Sequence, residues 1–367
     1  MQKIFSEYNL SGLNLKNRVV MAPMTRSRAA NAHSAADEQT ALYYQQRVGA
    51  GLIVSEGSQI STQGVGYLFT PGMHSAEQVQ GWKKTTAAVH AAGGKIFAQL
   101  WHVGRISHTS LHEGGAAPVS SSSKTAKKTT SFAYDDNGNV AAVQASEPRA
   151  LETHEVKAVV QDFANAAANA IEAGFDGVEI HGANSYLVEQ FINGSVNDRT
   201  DEYTGSTVEG RIRFALEIVD AVVAKIGRER TGIRVSPFNR IFDMHAFDGE
   251  EETWMALAAE LSKRSLAYVH ISNRDGLVAS EDGRSRLQKF RDSYEGTLIL
   301  AGQYTQEEAE RDLESGLADL VAFGRPFISN PDLVERMQYD WPLTQPDVAT
   351  FYGGNEVGYT DYENYQA

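Results

Sequence analysis

Gly177-Val178-Glu179-Ile180-His181-Gly182-Ala183-Asn184-Ser185-Tyr186 opens as a short apolar run and closes on polar, reactive side chains. Its first half reads as a buried strand, its second half as a strand end that carries chemistry. His181 and Asn184 are hydrogen-bond donors, and Tyr186 adds a phenol that gives or takes a proton. Together they can hold an oxygen that gains negative charge while a proton goes to a nearby carbon. The plainer reading is a buried His and Tyr satisfied by backbone groups. The rest of the chain decides between the two.

Seven further apolar runs have the same form, at residues 18–24, 52–58, 95–101, 231–237, 267–273, 298–302 and 320–326. Most are followed by an amphipathic helical pattern. The spacing predicts helices near 38–48, 207–226 and 250–265, and one from Ser75, its N-cap, to a stop at Gly93-Gly94. The strongest pattern, 153–174, has Thr153 to cap it and Gly174 to end it. Thr305 and Glu308 form a capping box, and Asn330-Pro331 starts a last helix. Eight β/α units predict an α/β fold of the (β/α)8 barrel type, one domain over residues 1–367. A hairpin at 6–17 precedes it. Residues 104–150 interrupt the alternation after the third strand and read as a lid or capping subdomain, with a hairpin turn at Asp135-Asp136-Asn137-Gly138-Asn139. The runner-up is a doubly wound open sheet, but no Gly-x-Gly-x-x-Gly follows any of these strands.

Composition narrows the function. The 367 residues include 32 glycines and no cysteine, and 42% are hydrophobic. Disulfides, thiolate metal sites, iron–sulfur clusters and cysteine nucleophiles are excluded. No signal-peptide core and no apolar run near membrane length is present, so the expectation is a soluble, cytoplasmic protein without a membrane partner. A net charge of −14 argues against nucleic acid as a partner.

In a (β/α)8 barrel the active site lies at the C-terminal ends of the strands. Those ends read Pro23-Met24-Thr25, Gly57-Ser58, Gln99 with Trp101-His102, His181 and Asn184, Arg234, Asn273, Gly302, and Gly324-Arg325. Donors, an aromatic and glycines recur at strand after strand. Glycines after the last two strands suit phosphate, with Arg325 adding charge. A flat, polar-edged cofactor such as flavin mononucleotide (FMN) fits, with Gln99, Thr25 and Arg234 satisfying its ring; a simple sugar-phosphate enzyme is the alternative. His102, His108 and His112 lack the acidic or His-Glu-x-x-His context of a metal site, so no metal is expected. The charged stretch 197–203 reads as a salt-bridged structural loop.

Taken together these motifs resemble the old yellow enzyme family of flavin-dependent ene-reductases over nearly the whole chain. The resemblance is carried by Met21-Ala22-Pro23-Met24-Thr25-Arg26, Ala98-Gln99-Leu100-Trp101-His102-Val103-Gly104-Arg105, and His181 to Tyr186 running on to Asn197-Asp198-Arg199-Thr200-Asp201-Glu202-Tyr203. It continues through Arg234-Val235-Ser236-Pro237, Val321-Ala322-Phe323-Gly324-Arg325 and Phe351-Tyr352-Gly353-Gly354. The chain looks most like bacterial members that reduce enones, maleimides and nitrate esters. The resemblance implies non-covalent FMN and NADPH or NADH as reductant. Thr25 would touch the flavin edge, Gln99 and Arg234 its pyrimidine ring, and Pro23, Met24, Gly57, Gly302, Gly324 and Arg325 the ring and phosphate. His181 would serve cofactor and substrate, joining Asn184 on the substrate oxygen. Tyr186 would be the proton donor, and Tyr67, Trp101 and Tyr352 would shape the pocket. Substrates would be activated alkenes, and the protein a monomer or weak homo-oligomer. The stretch 238–243 departs from those relatives near the substrate entrance. Two other classes stay open: a flavin-free lyase or isomerase using the His181/Tyr186 pair, and a non-catalytic ligand-binding barrel.

Overall fold

The computed structural model describes residues 2–272, 277 and 280–366. Eight parallel strands form the barrel: β1 (Val19–Met21), β2 (Leu52–Val54), β3 (Ile96–Trp101), β4 (Gly177–Gly182), β5 (Thr231–Val235), β6 (Tyr268–Ser272), β7 (Leu298–Ala301) and β8 (Leu320–Phe323). Each strand pairs with the next in the chain, and β8 pairs with β1 through Val321 and Val19, so the sheet closes. The open doubly wound alternative needs a reversal of strand order and is excluded. Asn273, expected at the end of β6, lies outside the described residues.

Alternation along each strand sorts the side chains into two cores. Val178 and Ile180 of β4 point outward and join the cluster between barrel and helices, with Val156, Val159, Phe163 and Val219. A smaller cluster fills the barrel from Val20, Ala22, Leu52, Val54, Phe97, Tyr268, Ile299, Ala301, Leu320 and Ala322. Leu10 and Leu15 belong to it too. They come from the expected hairpin, Tyr8–Leu10 paired with Leu13–Leu15, which packs its leucines against the interior residues. The interior is lopsided. β7, β8, β1 and β2 contribute aliphatic residues, whereas β3 to β6 contribute Gln99, Glu179, Arg234 and His270, all buried. The register sets Gln99 beside Glu179, and Arg234 between His181 and His270.

The helices follow the strands as expected, with two revisions. Ser75 caps Ala76–Ala91 in a full capping box, and Thr305 does the same for Gln306–Glu314. Thr153, expected to cap Thr153–Glu172, instead gives its hydroxyl to Asp201 at 2.7 Å. The cap passes to Glu152, whose backbone N–H donates to Glu155 at 2.7 Å. An N-cap oxygen accepts from the backbone N–H groups of the first turn, whereas Thr153 is already the first helical residue and its hydroxyl donates to a charged acceptor. The last helix follows Asn330-Pro331 as expected, but a further short helix precedes it. A helix over Arg325–Ser329 follows β8 directly, with Pro326 in its first turn, and another runs over Leu333–Gln338. Asn330-Pro331 divides them, because proline pushes the preceding residue out of the helical region.

Residues 104–150 carry the antiparallel hairpin Thr130–Tyr134 and Val140–Gln144, turned by Asp135, which accepts from the N–H groups of Asn137 and Asn139. Stretch 197–203 is the structural loop expected of it: Arg199 pairs with Asp201, and Asn197 Nδ2 donates to the carbonyls of Phe191 and Tyr203 at 2.8 Å each.

Since Leu15 is buried inside the barrel cluster, Leu15→Ala removes packing that nothing else supplies. Urea unfolding followed by circular dichroism is expected to show a loss of about 2–5 kcal/mol; a loss near zero would mean the hairpin does not seal the barrel.

Candidate active site

β4 delivers His181 to the mouth of the barrel. The N–H of Ala183 donates to His181 Nδ1 at 3.3 Å. Burial first, then the positive charge of Arg234, holds the imidazole pKa well below its usual value. The ring is therefore neutral, Nδ1 is its acceptor, and its proton sits on Nε2 as a donor.

The next residues make a turn that side chains rarely adopt. Asn184 and Ser185 have φ of 56° and 69°, both left-handed. Ser236 Oγ accepts the Asn184 N–H at 2.7 Å and donates to Glu189 Oε2 at 2.8 Å. The same Glu189 oxygen accepts the Ser185 N–H at 2.6 Å and Asn239 Nδ2 at 3.3 Å. Ser185 Oγ in turn donates to the Ile241 carbonyl. The turn is thus tied to the loop after β5.

That turn presents Tyr186 to the rings of Tyr67, Trp101, His181 and Phe242. Its hydroxyl lies 3.2 Å from the hydroxyl of Tyr67. Its ring stands edge-on to Trp101 at 4.9 Å and to His181 at 5.0 Å. Trp101 stacks between Tyr67 at 5.5 Å and His181 at 6.0 Å. Burial, then Tyr67, raises the Tyr186 phenol well above its ordinary value, so it keeps its proton. Gly57 belongs to this cluster: a Cβ there would come within 2.6 Å of Trp101 Cε3. Only glycine lets the indole lie on the backbone.

Beside the cluster lies a cavity of about 660 Å³. Pro23, Met24, Thr25, Asn184, Arg234, Gly302, Gly324, Arg325 and Tyr352 line it, all among the residues expected from sequence. Gln99, Gly57, Tyr67, Trp101, His181 and Tyr186 do not; Asn184 and Arg234 connect the cavity to them. Arg234 is held by a bond from Nη2 to Ser272 Oγ at 2.9 Å, while its buried Nε has no partner among the described residues. Gln99 Nε2 donates to Glu179 Oε1 at 2.8 Å, which leaves Oε1 of the amide as an acceptor. A Cβ on Gly324 would meet nothing closer than Met24 Sδ at 3.5 Å. The protein's own packing does not require glycine there, and a side chain would stand at the cavity wall.

Sequence reasoning missed Glu179, Glu189, Ser236 and Phe242, whose ring lies 6.2 Å from Tyr186. Glu179 carried a signal: it has the same strand parity as His181, a charge pointing into a barrel. Phe242 lay in the stretch 238–243 singled out as unusual. The histidines have other work. His102 is buried with its pKa down to about 3, its Nδ1 accepting the Gly104 N–H, and His112 Nε2 meets Ser107 Oγ at 2.9 Å. No helix among the described residues is long and apolar enough to cross a membrane.

The model of the NADH:flavin oxidoreductase / NADH oxidase family matches residues 3–344. The chain is 42% identical to 12-oxophytodienoate reductase 1 of Oryza sativa subsp. japonica over 365 residues, covering 98% of this chain and 92% of that protein. It is also 42% identical to 12-oxophytodienoate reductase 7 of the same plant, covering 98% and 94%. Morphinone reductase in complex with tetrahydroNAD superposes with a TM-score of 0.94 at 44% identity, covering 100% of this chain and 98% of that one. The chain belongs to the NADH:flavin oxidoreductase / NADH oxidase family. It is an old yellow enzyme-like, FMN-dependent NAD(P)H oxidoreductase of the ene-reductase kind. The flavin-free lyase and the non-catalytic barrel are set aside.

For a member of this family the residues present fit the flavin. The unpartnered Arg234 Nε and the Gln99 acceptor complement a ring edge of carbonyls and an N–H. Gly324 leaves cavity space that a side chain would occupy, with Arg325 beside it for a phosphate.

The Glu189 tether generates a pH test. Burial, against the opposing pull of the Ser185, Ser236 and Asn239 donors, pushes its carboxyl from 4.5 up to about 7. An acid raised in the folded state stabilises the fold below its unfolded pKa and loses that contribution as pH rises through the folded one. Glu189→Gln does not titrate. Its stability relative to the parent protein is therefore expected to improve from about pH 5 to about pH 8, by up to about 3 kcal/mol. Urea unfolding at both pH values measures this, and a flat difference would mean that Glu189 is ionised throughout.

Proposed function

We propose that the enzyme reduces the activated C=C bond of α,β-unsaturated carbonyl and nitro compounds, using reduced nicotinamide, with nitrate esters as further substrates. When bound, FMN supplies the hydride that goes to the β-carbon. His181 Nε2–H and the Asn184 amide bind the substrate oxygen and stabilise the charge that grows on it. Tyr186 gives its proton to the α-carbon. Thr25 sits at the flavin edge, Gln99 and Arg234 hold the pyrimidine end, and Gly302, Gly324 and Arg325 hold the phosphate. Tyr67, Trp101 and Tyr352 shape the substrate space, and the 238–243 loop, through Phe242, bounds it. Residues 104–150 act as a cap on a single domain.

One observation carries this reading: a neutral His181 that must donate lies against a Tyr186 that must stay protonated, at 5.0 Å between rings. An oxyanion clamp and a proton donor need those two states. Similarity to reductases named for 12-oxophytodienoate and morphinone supports a carbonyl substrate, and the tetrahydroNAD complex supports a nicotinamide reductant. The lack of cysteine and the net charge of −14 support a soluble, cytoplasmic enzyme, monomeric or weakly associated. Steady-state rates with NADPH and NADH across a panel of enones, nitroalkenes and nitrate esters rank the substrates.

His181→Ala and Asn184→Ala each remove a donor to the developing charge. Each is expected to weaken phenolate binding and to slow the oxidative half-reaction, on the order of 3 kcal/mol. Unchanged phenol affinity and enone turnover in both would remove these residues from the site.

Tyr186→Phe deletes one hydroxyl and keeps the ring. Reduction by nicotinamide needs no proton from this residue and is expected to stay near normal. Enone reduction is expected to slow by roughly 10²–10⁴-fold. Nitroalkenes lose less, because a nitronate is stable enough to leave unprotonated. Stopped-flow absorbance on both half-reactions separates these outcomes. Equal loss in both would make Tyr186 a structural or nicotinamide-binding residue.

A further inference from the structure

Glu179 is fully buried inside the barrel, two residues before His181 on the same strand face. Its carboxylate is divided between two partners. Oε1 accepts from Gln99 Nε2 and Oε2 from His270 Nδ1, both at 2.8 Å. His270 is also fully buried, and its Nε2 has no partner among the described residues. Burial, against the attraction of Glu179, lowers its pKa, so it is neutral and donates from Nδ1. The negative charge on Glu179 is then offset by the buried guanidinium of Arg234. Tyr268 lies one interior layer below and stays protonated, raised well above its ordinary value by burial and then by Glu179.

Gln99 and Arg234 are the two residues assigned above to the pyrimidine end of FMN. Neither is set by the cofactor alone. An ionised carboxylate only accepts hydrogen bonds, so Gln99 must turn its NH₂ toward Glu179 and its carbonyl away. The same carboxylate cancels part of the Arg234 field. We propose that Glu179 is a positioning residue for the flavin: it fixes the polarity of the Gln99 amide, and its charge, opposed to that of Arg234, keeps the bound flavin harder to reduce. This rests on the FMN reading of the cavity.

Glu179→Gln keeps the shape and removes the charge. The buried Arg234 is then uncompensated and favours the reduced, more negative flavin. The midpoint potential of bound FMN is expected to rise, with reduced FMN held at least tenfold more tightly relative to oxidised FMN, about 30 mV for a two-electron couple. Glu179→Asp keeps the charge but is too short to reach both partners. It is expected to leave the potential unchanged and to weaken oxidised FMN binding at least tenfold, read by titration of the apoprotein with FMN. A merely structural role would lower thermal stability in both variants without moving the potential in either.

Spectroelectrochemical titration of the FMN-loaded proteins reads the potentials. An E179Q protein that binds FMN at an unchanged or lowered potential overturns the charge assignment. An E179D protein that binds FMN like the parent, or shifts its potential as E179Q does, overturns the positioning assignment, and this arm stands even if E179Q does not fold. A parent protein that binds no FMN would instead fail the flavin reading itself.

Discussion

A carboxylate without access to water dominates the interior of this barrel. Removing an ion from water costs several kcal/mol unless opposite charge and donors replace the solvent. Glu179 meets that demand with Gln99, His270 and the field of Arg234. All four come from β3 to β6, so the polar residues are confined to one wall. The opposite wall, from Val20, Leu52, Ile299 and Leu320, is aliphatic. That division offers a polar and an apolar surface side by side, and on the polar wall Gln99 and Arg234 already have fixed orientations. Such preorganisation spares reorganisation at the moment of reaction.

Above this layer the chemistry depends on a strained turn. Two consecutive non-glycine residues in the left-handed region cost of order 1–3 kcal/mol each. Glu189 and Ser236 hold them there through the backbone N–H groups of Ser185 and Asn184. The turn places Asn184 on the cavity wall and Tyr186 in the aromatic cluster, two residues apart, facing different parts of one site. A regular strand or helix continued from His181 would not divide them in this way. The tether also binds the turn to the loop carrying Phe242, so Tyr186 and Phe242 sit on one hydrogen-bonded unit.

Much of this was legible in the chain. Eight apolar runs with polar ends predicted the barrel because alternation and helix periodicity are local. Ser75 and Thr305 were legible as caps, since a capping box spans only four residues. Thr153 was not, because its partner Asp201 is distant in sequence. The strand ends pointed to Thr25, Arg234 and Gly324, which line the cavity, and to His181 in the aromatic cluster beside it. They did not reveal that Gly57 serves Trp101, a contact between side chain and backbone across neighbouring strands. Glu189 carried no signal in the sequence, and only the fold shows it buried beneath the turn.

The outer wall of the cavity depends most on distant contacts. Phe351 and Tyr352 line it from near the end of the chain, on a segment with little regular structure. What holds that segment is arginine from the start of the chain. Arg26 Nε donates to the Phe351 carbonyl at 3.0 Å, and the Gly353 N–H returns a bond to the Arg26 carbonyl at 2.9 Å. Arg28 donates to the carbonyls of Thr350, Asn355 and Val357. Both guanidinium groups lie against the ring of Tyr359, which stacks on Tyr43 at 4.3 Å. Carbonyl oxygens and ring faces take much of the place of carboxylates here, so two cations are buried without a matching pair of ion partners. Arg26 and Arg28 follow directly on the Pro23-Met24-Thr25 edge of the cavity. The same few residues therefore set one edge of the cofactor space and anchor the segment that bounds it from outside, which makes the distance from Thr25 to Tyr352 a property of the early chain rather than of the late one.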